Sequence, residues 1–186
     1  MLINNRFMRL NEINSMERKK MITTAQRSYL AGMHNPIIHS ATVIIGWIKI
    51  FKCLPSVKEI LCIIVHDIGY LKQKSIDGKD NHHPELGAQM CGKLLGSSYY
   101  NLCIAHSRDY AKQKGLPLSK LGYADKYSVL AYPDGIFKYL IKFGGEAEEY
   151  HKTTKTKKWG FPVQVELIKA QYRKWVNENC ASFNMK

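Results

Sequence analysis

Nowhere in the 186-residue chain is there a run of about 18 uncharged apolar residues, the least that a membrane-spanning helix requires. The longest candidate, IIHSATVIIGWIKIF, is interrupted by His39, Ser40 and Lys49. The N-terminal stretch MLINNRFMRLNEINSMERKK has no apolar segment of secretion-signal type, so residues 1–20 read as a loose arm or short amphipathic helix and the chain is expected in the cytoplasm. CxxC pairs are missing too. The five cysteines, Cys53, Cys62, Cys91, Cys103 and Cys180, are odd in number, three of them lie in apolar helical patterns, and they are expected as buried thiols in a reducing compartment. Acidic residues are scarce, 15 Asp+Glu against 28 Lys+Arg, and the net charge of +13 favours anionic partners: nucleotides, phosphorylated metabolites or nucleic acid. Much of that excess lies at Arg18 to Lys20 and Lys152 to Lys158, runs of the kind that more often face solvent than grip nucleic acid. Strand pairs, internal repeats and low-complexity tracts are also lacking, and with 45% hydrophobic residues the whole of 1–186 is expected to form one domain with its own core.

What remains is helical. Asn35 and Pro36 open a mostly apolar segment ending near Phe51, the first as cap and the second at the first helical position. SVKEILCIIVHDIG starts with a capping box from Ser56 to Glu59 and repeats apolar residues at 57, 60, 61, 64, 65 and 68, which predicts a buried helix ended by Gly69. Residues 70 to 82 are polar and turn-rich and read as a surface loop. A helix restarts at Pro84 and stops at Gly96. SSYYNLCIAHSRDYAKQKG then predicts one helix from Ser97 or Ser98 to Gly115, with His106 on the face of Tyr99, Leu102, Cys103 and Tyr110. Ser119 caps SKLGYADKYSVLAY, PDGIFKYLIKF runs to Gly144-Gly145, and a last amphipathic helix carries apolar residues at 165, 168, 172, 175 and 176. The fold class is therefore all-α, a helical bundle with a motif-bearing core over 30–132 and C-terminal helices over 133–180.

Six side chains stand out: His39, the doublet His66-Asp67, His83, His106 and Asp125, spread over five helical segments or helix ends. A single histidine on an apolar face is usually a hydrogen-bonded core residue. A buried aspartate is harder to explain, because an unpaired carboxylate costs several kcal/mol or gives up its charge. Asp67 and Asp125 need cations, and one or two divalent ions held by four neutral imidazoles and two carboxylates satisfy every member at once.

The ordered pieces VHDIGY, HHPELGA with its glycine four residues after His83, IAHS and the late ADK at Ala124 to Lys126 resemble the HD-domain metal-dependent phosphohydrolase superfamily over residues 30 to 132. The resemblance implies an HD-domain-like helical bundle in which His39, His66, Asp67 and Asp125 form the basic metal set. His83 and His106 match the two additional histidines of dinuclear branches such as HD-GYP phosphodiesterases and bacterial symmetrical diadenosine tetraphosphate hydrolases, with Asp67 bridging two ions. His82 competes with His83, whose Pro-x-x-Gly continuation fits the family spacing, and His34 competes less well with His39 because it lies before the expected helix start. His151, in a charged segment, reads as solvated. The GYP motif is absent. So is the glutamate that follows HD in the nucleoside monophosphatase branch, where this chain continues IGYLKQKSID.

The expected activity is hydrolysis of a phosphoester or phosphoanhydride in a nucleotide or related small phosphorylated substrate, by attack of metal-bound hydroxide. The ion is expected among iron, manganese, nickel, cobalt, zinc and magnesium. Asp67, Lys126 and Arg108 are the candidate catalytic residues, although an ideal helix turns Arg108 away from His106. Lys72, Lys74, Asp109 and Tyr110 are candidates for substrate binding; the last two share the face of His106 at three and four residues. GEAEEY at 145–150 offers acids to the site entrance or to the basic arm, and reads most simply as surface helix. Two alternatives stand beside this: a di-iron HD-type oxygenase with the same ligands, like inositol and phosphonate oxygenases, and an HD nuclease or nucleic-acid-binding protein, which the charge of +13 suggests but no binding-module motif supports.

Overall fold

The structure is a computed structural model that describes residues 22–76, 82–147 and 165–184. Among these residues it has nine α-helices, two 3-10 helices and no strand. In chain order the helices are α1 (Thr24–Ala31), α2 (Pro36–Phe51), α3 (Val57–Val65), α4 (His83–Leu95), α5 (Ser97–Ile104), α6 (Arg108–Gln113), α7 (Lys120–Ala131), α8 (Asp134–Gly144) and α9 (Val165–Cys180), with 3-10 helices at Ile68–Lys72 and Ala181–Asn184. No helix among them is long and apolar enough to cross a membrane. The N-terminal arm, the runs Arg18 to Lys20 and Lys152 to Lys158, His151, and the ends of the GEAEEY and 70–82 segments lie outside the described residues.

Helices α2 and α7 pack along each other, α5 lies on α4, and α1 lies on α8. One apolar cluster fills the space among α2 to α7, with Val43, Trp47, Ile63, Cys103, Leu121 and Ala124 at its centre. A second joins Met33, Val129, Tyr132, Phe137, Ile141 and Ile168 across α7, α8 and α9. The polar cluster of histidines and aspartates is buried among these helices. The expected caps are present: Asn35 Oδ1 accepts from the N–H groups of Ile37 and Ile38, and Ser56 and Glu59 form a reciprocal box.

Three local expectations fail for physical reasons. Helix α3 ends at Val65, four residues before Gly69, because the carbonyl that would continue it is already taken: Ile63 O accepts from His66 Nδ1 at 2.6 Å and from Ser40 Oγ at 3.3 Å. Gly69 sits instead within the 3-10 turn at the start of the supposed loop, where a Cβ would fall 2.0 Å from His83 O, and Gly87 is similarly pressed on Val65 O. These glycines let the end of α3 and the start of α4 touch backbone to backbone.

The expected apolar stripe of the α3 segment is split: Ile60, Val65 and Ile68 are half-buried, and the other three face outward. Val57, Leu61 and Ile64 are 75, 46 and 44% exposed, while Cys62 and Ile63 enter the core. The helix is apolar on more than one side, so its periodicity did not single out the buried face. The long helix expected from Ser97 to Gly115 is broken at residues 105–107. Ser119 captures two of its carbonyls, Oγ bonding Leu102 O at 2.7 Å and the backbone N–H bonding Ala105 O at 3.0 Å, and the chain turns to begin α6. Of the five cysteines, Cys53 is exposed and the other four are buried.

Candidate metal centre

His39 stands on the first turn of α2, His66 and Asp67 follow the end of α3, His83 opens α4, His106 fills the break between α5 and α6, and Asp125 lies mid-way along α7. The fold brings all six together. Asp67 is the hub. Its Oδ2 lies 3.3 Å from both His39 Nε2 and His66 Nε2, and its Oδ1 lies 3.2 Å from His106 Nε2 and 3.6 Å from His83 Nε2. Asp125 Oδ1 is 3.1 Å from His39 Nε2. One carboxylate oxygen thus faces the donors His39 and His66, and the other faces His83 and His106.

The second nitrogen of three of these rings is committed elsewhere. His66 Nδ1 donates to Ile63 O and His106 Nδ1 to Cys103 O, each at 2.6 Å and each to the carbonyl three residues back, so the same helix-ending device occurs twice. His39 Nδ1 donates to Tyr132 Oη at 3.2 Å, since the Tyr132 hydroxyl is itself spent on Met33 O at 2.9 Å. A histidine that donates from Nδ1 keeps a lone pair on Nε2, the usual arrangement of a ligating imidazole. Lys169 Nζ, buried, bonds Tyr132 O at 2.6 Å and pairs with Asp134, holding the residue that orients His39.

The donor set fits a metal on the structure's own terms. His39 Nε2, His66 Nε2 and Asp67 Oδ2 are buried and lack a hydrogen-bond partner although they lie within ion-pair distance, because their geometry is wrong for direct bonding. His83 Nε2 and His106 Nε2 face each other at 3.1 Å, and His106, whose Nδ1 is spent on Cys103 O, turns a lone pair toward His83 that can take a proton or a cation. The groups His39, His66, Asp125 and His66, Asp67, His106 each bring one donor atom per residue within 4.8 Å of the others and could hold a metal ion.

Electrostatics say the same. Burial pushes Asp67 up, but His66 beside it and the contacts with His106 and His39 outweigh this and hold its carboxyl well below the ordinary range. Burial also pushes Asp125 up, and Lys126 with His39 again reverses the sign. His39 is carried above its usual value despite burial, by Tyr132, Asp125 and Asp67. His83 is held well below it by burial and by His106. The cluster demands positive charge, whether as protons on imidazoles or as a cation among them.

A cavity of about 130 Å³ opens onto these residues. Lys126 lines it, Nζ 3.2 Å from Asp125 Oδ2 and 26% exposed; burial pushes its ammonium down, but Asp125 together with Tyr172 outweighs this and keeps it above the usual range. Arg108 and Asp109 line the cavity from α6, paired with each other at 3.5 Å, and Tyr110 lines it with its hydroxyl donated to Glu85 at 2.7 Å. The helical-wheel argument that turned Arg108 away fails because the helix is interrupted after His106. Lys72 and Lys74 are exposed and are not among the lining residues. His82 is half exposed and bonds Glu85, outside the cluster.

The residues that sequence reasoning missed are Tyr132, Ser28 and Glu146. Tyr132 follows Asp125 by seven residues, two helical turns along the same face, and that spacing was a usable signal. Glu146 had none: a glutamate in a charged stretch, it is 1% exposed and lines the cavity. Burial raises its carboxyl to about 7, against the hydrogen bonds from Ser28 and the Met33 N–H. Its neighbour His34 is lowered to about 4, chiefly by burial. A separate trio, Cys62, Cys91 and Cys103, has its sulfurs within 4.8 Å of one another, inside the apolar core. Comparison with protein-family models, curated proteins and solved structures gave no significant match.

Proposed function

We propose that the protein is a metal-dependent phosphohydrolase of the HD-domain kind, acting on a nucleotide or related small phosphorylated compound. The observation that carries this reading is the divided Asp67 carboxylate, one oxygen toward His39 and His66 and the other toward His83 and His106. It gives two adjacent donor groups sharing a bridging carboxylate. Divalent ions bound there would supply Lewis acidity and a coordinated water acidic enough to ionise near neutral pH.

The chain's own residues do the rest. His39, His66 and Asp125 would hold one ion and His83 with His106 the other, with His39, His66 and His106 aimed by the hydrogen bond on the opposite nitrogen. Lys126 places an ammonium at the cavity wall, where a phosphoryl oxygen gains a charge-assisted bond. Arg108 offers a second cation farther out. A volume of about 130 Å³ is below the roughly 300 Å³ at which whole-ligand pockets begin. It admits a phosphoryl group and leaves the remainder of the substrate at the mouth, beside Arg108 and Asp109. That cationic wall suits an anionic phosphoryl group better than a neutral polyol.

The test is elemental analysis of protein purified without chelator, followed by a panel of nucleotides and phosphodiesters with each candidate ion. Release of phosphate or nucleoside monophosphate by the loaded protein, abolished in Asp67→Ala, is expected. Turnover indifferent to Asp67→Ala, or substrate-dependent oxygen uptake by iron-loaded protein in place of phosphate release, would remove the proposal.

A further inference from the structure

Beside the metal-ligand cluster lies a second buried polar chain that the reading above does not use. Ser28 on α1 is fully buried, and its hydroxyl donates to Glu146 Oε1 at 2.6 Å. The backbone N–H of Met33 donates to the same oxygen at 2.8 Å, so Oε1 accepts two hydrogen bonds and a proton on the carboxyl is carried by Oε2. With its own hydrogen spent, Ser28 Oγ can only accept from its other partner, His34 Nδ1, at 2.6 Å. The His34 ring lines the cavity, 5.5 Å from the His39 ring and 4.6 Å from that of Tyr70 between centroids. Space for this chain is reserved: a Cβ on Gly32 or Gly144 would come within 2.4 or 2.5 Å of Glu146 Oε1.

We infer that Glu146, acting through Ser28, fixes His34 as the Nδ1–H tautomer and so presents the Nε2 lone pair to the cavity as the proton acceptor for the attacking water. The device follows the logic of a hydrolase triad, in which a buried carboxyl sets the tautomer of a histidine, with a serine hydroxyl interposed. His34 is the catalytic residue; Ser28 and Glu146 are positioning residues. The catalytic half of the inference rests on the phosphohydrolase reading, while the tautomer does not. In the step itself, the water oxygen forms a bond to phosphorus and one water proton passes to His34 Nε2. The bond from phosphorus to the leaving oxygen breaks, and the same proton then returns to that oxygen. Water and ester become alcohol and phosphate, and the imidazole is left neutral.

The experiment has two arms on the full chain. The first uses zinc-loaded, diamagnetic protein labelled with nitrogen-15 and reads histidine side chains by long-range proton–nitrogen correlation, with His34 assigned by its loss in His34→Gln. His34 is expected with a protonated Nδ1 in the parent and with Nε2 protonated in Ser28→Ala, since a free histidine side chain prefers the latter form. A parent already protonated on Nε2, or a tautomer unmoved by Ser28→Ala, overturns the inference without any assay. The second arm measures metal content and turnover in His34→Gln and Ser28→Ala beside Asp67→Ala. His34→Gln is expected to keep its metal and to lose about 100-fold in kcat, within the usual range for general-base removal. Loss in Asp67→Ala with full activity in His34→Gln sinks this inference alone, whereas activity in both variants sinks the phosphohydrolase reading.

Discussion

At the closed end, where His106 lines the cavity and His66 lies outside its lining, each spends Nδ1–H on a backbone carbonyl 2.6 Å away, whereas at the mouth Arg108 and Asp109 pair with each other at 57 and 71% side-chain exposure. The difference is one of what fixes a side chain. At the closed end these two ligand nitrogens are aimed by hydrogen bonds made where a helix ends, so position is set by the backbone. At the mouth, charge is delivered on long side chains in water, where position is set by rotamer averaging and attraction is screened. Chemistry that needs atoms held to within about 0.5 Å belongs at the first end, and attraction of an anion belongs at the second.

The comparison breaks most severely at its hub. Asp67→Ala removes the carboxylate that both donor groups share and leaves buried imidazoles facing one another, so bound metal should fall to background and turnover by at least about 10³-fold. His106→Ala leaves Asp67 Oδ2 with His39 and His66 and should retain one ion in place of two, read as metal-to-protein ratio. If His106→Ala loses all metal, the two donor groups are not separable and the division of Asp67 has no functional meaning.

Next in size is a backbone change that touches no ligand. Gly69→Ala places a Cβ where His83 O stands 2.0 Å away, and since backbone cannot step aside as a flexible side chain can, the turn carrying Asp67 must separate from the start of α4. The expected cost is on the order of 3 kcal/mol, a fall of roughly 6–12 °C in Tm for a chain of this size, with weaker metal retention. A Tm within 2 °C of the parent, on a scale where about 1 kcal/mol moves Tm by roughly 2–4 °C, would show that the two segments are not held in contact.

Glu146 sharpens the comparison because it is as buried as the ligands yet opens onto the cavity. Its ordinary value near 4.5 rises to about 7 in the fold, so the protonated form is favoured in the native state. The sign follows: this contribution to stability is fully present below about 4.5 and is lost as pH rises through about 7. The groups facing Glu146 are Ser28, the Met33 N–H and His34, with Asp67 and His39 farther off. His34, lowered to about 4, has the opposite slope between about 4 and 6.5 and offsets part of it there. Glu146→Gln, which keeps the carbonyl acceptor for Ser28 and Met33, should therefore gain on the parent as pH rises from 5 to 8, by up to about 3 kcal/mol. A Tm difference that stays flat over that range would mean Glu146 ionises as freely in the fold as outside it.

How much of this was legible from residues alone divides along the same line. His66-Asp67 could be read because an acid next to a histidine at the end of an apolar helix is costly without a cation, and the caps at Asn35, Ser56 and Ser119 could be read because local chemistry dictates them. The break after Ile104 could not: no glycine or proline stands at 105–107, and the helix yields where Ser119, from another segment, takes the carbonyls of Leu102 and Ala105 and His106 Nδ1 takes that of Cys103. That one tertiary event turns Arg108 toward the cavity and removes the helical wheel on which its exclusion rested. The outward face of α3 was hidden by the opposite fault, an excess of apolar residues on a helix whose periodicity then did not single out the buried face. Glu146 was hidden because a glutamate among charged neighbours reads as solvated unless a distant serine and backbone N–H are known to meet it.

The smallest expected effects lie at the mouth, and they separate cations that line the cavity from those that do not. Arg108 lines it and Lys72 and Lys74 lie outside it, although all three are exposed and all three add to the same net charge of +13. An exposed charge contact is worth about 0.2–1 kcal/mol, which is less than about fivefold in affinity. Arg108→Ala should raise KM by about two- to fivefold with kcat unchanged, and the difference should shrink as salt is raised and the Debye length shortens to about 3 Å at 1 M. Lys72→Ala and Lys74→Ala should alter neither parameter beyond the small, salt-sensitive change in encounter rate that any lost positive charge brings. If the lysines matter as much as Arg108, the net field rather than the cavity rim attracts the substrate. If Arg108→Ala lowers kcat as well, the guanidinium reaches the reacting phosphoryl group, and the mouth takes part in the chemistry that the closed end was built to hold.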